Sequence, residues 1–231
     1  MSTRAELVAA NRILYAQGVV DAFGHVSIRD EAAPDTFLLA RNMAPGLVTE
    51  ADIMRFTYAG TACDNDDRKP YLERFIHGSI YRARPEVGAI VHSHAPSLIP
   101  FGIVSDAVLR PVWHMSSFLG EGVPIFEIRA EAGDATDLLI ASEATGDALA
   151  RSIATGTTVL MRGHGATVVG ANVREAVYRG VYLALNARLQ ADAIRLGPIT
   201  YLSPGEMASA TRTIGAQIDR AWNLWSAEAE A

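Results

Sequence analysis

The stretch "VGAIVHSHAP" (residues 87–96) decides how this chain is read. Small and branched apolar residues, Val87, Ala89, Ile90 and Val91, lead into two histidines one residue apart. Such a run predicts a β-strand. A strand sends side chains i and i+2 to the same face, so His92 and His94 point together at whatever lies above it. Two imidazoles held side by side are half of a metal site. The other half has to come from elsewhere in 231 residues that hold only six histidines.

Outward from this strand, "GHVSIRD", "TFLLAR", "VPIFEI" and "TTVLMRGHGATVVG" are short apolar runs bounded by Gly and Pro, and they read as further strands of one sheet. Helices are marked by their ends. Thr3 with Glu6 forms a capping box ahead of Leu7, Ala10 and Leu14, and Gly18 closes the segment. Asn172 with Glu175 opens "VREAVYRGVYLALNARLQADAIRL", which Gly197-Pro198 ends. "SPGE" (203–206) opens another, with Pro204 in the first turn and Met207, Ile214, Ile218, Trp222 and Trp225 along one side. "YLERFIHGSIYRA" is helical by the spacing of Leu72, Phe75, Ile76, Ser79 and Ile80, and Pro85 follows its end. With no repeat, low-complexity tract or linker, residues 1–231 read as a single α/β domain with helices packed on a mixed sheet.

Composition narrows the chemistry. A 49% hydrophobic content supports a sizeable core. The single cysteine, Cys63, excludes an internal disulfide framework and a cysteine-based zinc site, and it fits a reducing compartment. A net charge of −6 without a basic block argues against nucleic acid and favours a small-molecule partner. Arg4, Glu6 and Arg12 interrupt the first segment, and no apolar run reaches the ~20 residues of a membrane span, so a cytoplasmic location is expected.

Any metal must therefore use histidine and carboxylate. "RGHGATVVG" supplies His164 between two glycines, and Glu73 supplies a carboxylate on the helix before the His-x-His strand. Three imidazoles and one carboxylate suit a divalent transition ion, with Mn2+ the first choice and Zn2+, Fe2+ or Co2+ the alternatives, one ion per subunit. Each residue also has a structural reading. A strand histidine serves as a hydrogen-bonded core residue, Gly-His-Gly suits a tight turn, and Glu73 suits a helix surface; His77, one turn after Glu73, packs or hydrogen-bonds.

Taken together, "GHVSIRD", "RKPYLERFIHGSIYRARPEVGAIVHSHAPS" and "LMRGHGATVVG" resemble, in order and spacing, the class II aldolase and adducin head-domain family. The resemblance implies a three-layer α/β/α domain with a central mixed, largely antiparallel sheet, and a homotetramer with sites near subunit contacts. It implies Glu73 as the acid/base and His92, His94 and His164 as ligands. The chain departs from the sugar-phosphate aldolases of that family where phosphate is held. Gly24-His25-Val26-Ser27 replaces a Gly-Asn-x-Ser turn, "ARNMAPG" replaces a Thr/Ser-Gly pair, and Tyr71-Leu72 replace two serines. His114, in "PVWHMSSFLG", stands in place of a proton-donating tyrosine and rivals Glu73 as the acid.

These departures resemble the family branch that decarboxylates hydroxylated aromatic acids such as 3-hydroxy-2-methylpyridine-4,5-dicarboxylate and 3,4-dihydroxyphthalate. A second carboxylate on such a substrate calls for cationic or donor partners. His25 and Arg41 are the candidates, with Tyr71 flanking and Arg162 near His164. The alternatives are an aldolase or epimerase on a sugar phosphate, an iron-dependent oxidative decarboxylase, and a non-catalytic adducin-like module.

Overall fold

The runs rich in β-branched and aromatic residues form seven strands: β1 (His25–Arg29), β2 (Thr36–Ala40), β3 (Ile53–Thr57), β4 (Ala89–Ser93), β5 (Ile125–Phe126), β6 (Thr158–Met161) and β7 (Gly165–Gly170). In the computed structural model, which describes residues 2–230, they make one sheet of order β3-β2-β1-β4-β7-β6-β5. All neighbours are antiparallel except β5 and β6, which run parallel. The helices are α1 (Thr3–Ala16), α2 (Arg74–Ala83), α3 (Ile99–Ile103), α4 (Arg129–Ala132), α5 (Glu143–Ile153), α6 (Val173–Leu196), α7 (Pro204–Gly215) and α8 (Ile218–Glu230). One layer joins α1, α6 and α8, with α6 lying over β4 and β7; the opposite layer pairs α2 with α5. This is the expected three-layer α/β/α arrangement around a mixed, largely antiparallel sheet. Covered on both faces, β2 and β4 are buried throughout, which is why their sequences are continuously apolar up to the first histidine.

Several boundaries differ from the sequence reading. Ser2, not Thr3, caps α1: its extended backbone lets its hydroxyl accept from the Ala5 amide at 3.1 Å. Glu73 is not on α2 but occupies the position just before it, and Leu72 is 55% exposed rather than part of the apolar stripe. "TTVLMRGHGATVVG" is two strands joined by a turn, in which the His164 amide donates to the Met161 carbonyl at 3.0 Å. The segment after "SPGE" is two helices. A straight helix of that length would run about 40 Å, too long to bury both Met207 and Trp225; a turn closed by Gln217 N–H donating to Ile214 O at 2.8 Å folds α8 back onto α1 and α6. Four elements carried no clear signal: β3, an edge strand interrupted by Arg55; α3 and α4, each of one turn or little more; and α5, rich in small residues. Among the described residues no helix is long and apolar enough to cross a membrane.

Candidate metal centre

Val91 lies under Gly180 of α6, so the next residue of β4, His92, faces the α2 layer. His94, two residues on, follows it to the same side just past the strand end. The turn between β6 and β7 brings His164 to meet them: His94 Nε2 is 2.9 Å from both His92 Nε2 and His164 Nε2. Two glycines make this approach possible. Gly163 turns the chain at φ +67°, and a Cβ on Gly165 would lie 2.1 Å from the Ser93 carbonyl oxygen. Glu73 completes the group with Oε2 3.4 Å from the Nε2 atoms of His92 and His164. The four ligand atoms lie within 4.8 Å of one another.

A segment that the sequence reading passed over orients two of them. The Leu138 carbonyl accepts from His164 Nδ1–H at 2.9 Å, and the Ile140 amide donates to Glu73 Oε1 at 3.0 Å. A carbonyl only accepts, so the His164 proton is fixed on Nδ1 and the Nε2 lone pair is left aimed into the centre. Leu138 achieves this at φ +69°, a strained value for a residue with a side chain. Nothing in "TDLLIA" signals such a role short of that backbone geometry.

Electrostatics agree with a cation site. Burial pushes the Glu73 carboxyl upward, but wherever His92 and His164 are protonated their charge and Nε2–H hydrogen bonds outweigh it and hold the group ionised, well below the usual carboxylate range. Burial pulls His92 down and pulls His94 to about 4, so both rings prefer the neutral, ligating form. On His164 burial acts downward, and hydrogen bonding and charge from Glu73 reverse it. Three convergent nitrogen lone pairs beside a carboxylate fit a divalent transition ion by donor set and by burial.

The remaining candidates divide. His25 pairs with His92 across β1 and β4, its ring centroid 5.0 Å from that of His92 and 4.7 Å from that of Tyr71. Tyr71 is buried and donates to the Met43 carbonyl, and burial pushes its pKa up to about 12. Arg41 is half-exposed and paired through Nε with Asp52 at 2.7 Å. Arg162 is engaged by Glu127 at 2.5 Å. His114 is not brought to the cluster of this chain: it is exposed, in a pocket with Met115, Tyr178, Tyr182, Leu224 and Trp225. His77 hydrogen-bonds, as its sequence position suggested, but to His25.

Fold and donor set together define a class II aldolase-type α/β protein with a histidine-carboxylate centre. The Class II Aldolase and Adducin N-terminal domain matches residues 5–191, and the chain belongs to that family. It is 36% identical to decarboxylase tropJ of Talaromyces stipitatus, an alignment covering 96% of this chain and 92% of that protein. It is 27% identical to the 3,4-dihydroxyphthalate decarboxylase of Rhodococcus jostii, over 84% of this chain and 81% of that one. Among solved structures, an aldolase II superfamily protein from Pseudomonas syringae superposes with TM-score 0.79 at 22% identity, over 98% of this chain and 91% of that one.

Proposed function

We propose that the protein is a divalent-metal-dependent, non-oxidative decarboxylase of an ortho-hydroxylated aromatic carboxylic acid, such as a hydroxypyridine dicarboxylate or a dihydroxyphthalate. The observation that carries this reading is the wall beside the centre. His25 and Tyr71 set two flat rings 4.7 Å apart, with the His25 ring against His92, in positions where the sugar-phosphate aldolases carry short phosphate donors. A planar acid suits such a wall, and the decarboxylases among the relatives support the same reaction class.

In this reading His92, His94 and His164 hold the ion, with Glu73 beside it and Mn2+ the expected metal. The ion would supply positive charge at the oxygen onto which the electron pair of the breaking carbon–carbon bond is delocalised. Glu73, an ionised carboxylate fixed through Oε1 by the Ile140 amide, takes the phenolic proton through Oε2 and returns it to the ring carbon that bears the carboxylate. Loss of CO2 then leaves its bonding electrons in the ring, and aromaticity is restored. Arg41, joined to Asp52 through Nε, keeps its terminal nitrogens for a second carboxylate, and Arg162 flanks His164. His114 serves as a proton donor only across a subunit contact, consistent with the homotetramer that the family resemblance implies.

The test is an anaerobic absorbance assay of Mn2+-reconstituted protein with 3,4-dihydroxyphthalate and 3-hydroxy-2-methylpyridine-4,5-dicarboxylate. Turnover of either, abolished by EDTA, is the expected result. Turnover of a sugar phosphate instead, or turnover that requires oxygen, overturns it.

A further inference from the structure

Behind His25 runs a buried chain of hydrogen bonds that the proposed chemistry does not use. His77 and Tyr81 are four residues apart on α2, about 6 Å along a helix; His25 and Ser27 are two apart on β1, about 6.6 Å along a strand. The two spacings match, and the side chains mesh. His77 Nε2 is 2.7 Å from His25 Nδ1, Ser27 Oγ is 2.6 Å from His77 Nδ1, and Tyr81 OH is 2.8 Å from Ser27 Oγ. All four residues are 0 to 3% exposed.

The chain has a direction, because it has a dead end. Among the described residues Ser27 is the only hydrogen-bond partner of the Tyr81 hydroxyl, so that hydroxyl keeps its hydrogen bonded only by donating to Ser27. Ser27 must then donate to His77 Nδ1. That places the His77 proton on Nε2, donating to His25 Nδ1, and leaves the His25 proton on Nε2. The reverse order, or an imidazolium at either ring, strands a hydroxyl hydrogen in the core. Burial also holds both rings below the usual histidine range, His77 at about 3. His25 Nε2 has no partner among the described residues, yet is not among the polar atoms sealed from solvent without one. It is the open end of the chain, beside the ring of His92.

We propose that Tyr81, Ser27 and His77 are positioning residues that lock His25 as a neutral Nε2–H hydrogen-bond donor to an anionic oxygen of the substrate, and that this chain cannot serve as a proton source. A proton leaving His25 Nε2 could be replaced from behind only by taking one from Tyr81, and burial holds that phenol far above its ordinary pKa. The proton returned to carbon therefore comes from elsewhere, and His25 orients. The tautomer stands on the hydrogen bonds alone; the contact with substrate rests on the decarboxylase reading above.

The experiment is a long-range 1H–15N correlation spectrum of histidine-labelled full-length protein loaded with diamagnetic Zn2+. His25 and His77 are both expected as Nε2-protonated rings with bare Nδ1. An Nδ1–H ring or an imidazolium at His25 overturns the proposal. Ser27→Ala breaks the chain and is expected to give mixed tautomers at His25, whereas Tyr81→Phe leaves the Ser27 hydroxyl as terminal donor and the spectrum unchanged in pattern; the opposite result overturns the directional argument. In turnover of 3,4-dihydroxyphthalate, His25→Phe should raise KM about tenfold or more, and His25→Asn, which keeps an N–H donor, should recover part of it with kcat nearly intact. A kcat that collapses equally in both variants overturns the orienting role. If neither aromatic acid is turned over, the decarboxylase reading fails while the ring spectrum still decides the tautomer.

Discussion

Two of the buried polar groups in this molecule are built on opposite rules. On α6, Asn186 and Gln190 are 0 and 1% exposed and fully engaged. Asn186 Nδ2 donates to the Arg110 carbonyl at 2.8 Å, while Oδ1 accepts from the Val112 amide at 3.0 Å and the Ser116 hydroxyl at 2.6 Å. Gln190 Oε1 accepts from the Arg110 amide at 2.9 Å, and Nε2 donates to the Val108 carbonyl at 2.8 Å. Donors meet acceptors, and the segment 108–116 is clamped to the helix. At the Glu73–His92–His94–His164 centre, acceptors face acceptors: nitrogen lone pairs converge at 2.9 Å on each other and on a carboxylate. Polar burial that satisfies itself is structure. Polar burial in which acceptors converge with no donor among them is the donor set of a cation site.

The sharpest way to break this contrast is His94→Ala. It removes a nitrogen crowded by two others, so metal retained after dialysis should fall to near zero and turnover by more than about 100-fold, beyond the cost of losing an outer-shell partner. The stability of the metal-free protein should not fall. A metal-free His94→Ala protein as destabilised as an Asn186 variant would erase the distinction. Asn186→Ala should do the reverse: it leaves the Arg110 carbonyl and the Val112 amide unpaired, while the Ser116 hydroxyl keeps only the Trp113 carbonyl at 3.2 Å, costing about 3 kcal/mol in urea unfolding, with metal content per folded chain unchanged.

Acid sharpens the comparison further. Burial lowers His94 to about 4 and His77 to about 3, whereas both titrate near 6.5 when unfolded. Between those limits the unfolded chain holds more protons, so the stability of the metal-free protein falls as pH falls from about 6.5 toward 3. The fully buried His77 contributes a slope of up to about 1.4 kcal/mol per pH unit. Glu73, lowered well below 4.5, adds to the same loss from about pH 4.5 downward; His164, raised, acts oppositely and only above 6.5. Urea midpoints measured across this range should give Asn186→Ala the wild-type slope at lower stability, and His77→Gln a flatter one. The smallest effect lies outside both groups. Ser203→Ala removes the hydroxyl that accepts from the Glu206 amide at the start of α7 and should cost about 1 kcal/mol, read by thermal melting, with neither metal nor turnover altered.

Much of this was legible from residue order because the signals are local. The His-x-His strand, the glycines around His164 and the caps at Asn172 and Ser203 each act through neighbours within a few residues, and the structure keeps them. β3 and α5 escaped because an edge strand broken by Arg55 and a helix of small residues owe their form to what packs on them. Leu138 and Ile140 escaped because their contribution is a carbonyl and an amide, which every residue type carries. His77 was expected to pack or hydrogen-bond, but its partners could not be named, because they lie on β1, 50 and 52 residues away.

The sequence by itself determined the inventory: a core-forming α/β chain, one cysteine too few for sulfur chemistry, and three histidines with a glutamate in family order. Composition and short-range pattern suffice for that, since they depend only on side-chain chemistry and the period of the local backbone. The tertiary structure decided which of these residues share a space. It brought Glu73 to His164, left His114 on another surface, and set a dead-end tyrosine behind His25, because distances between residues remote along the chain follow from strand pairing and helix docking alone.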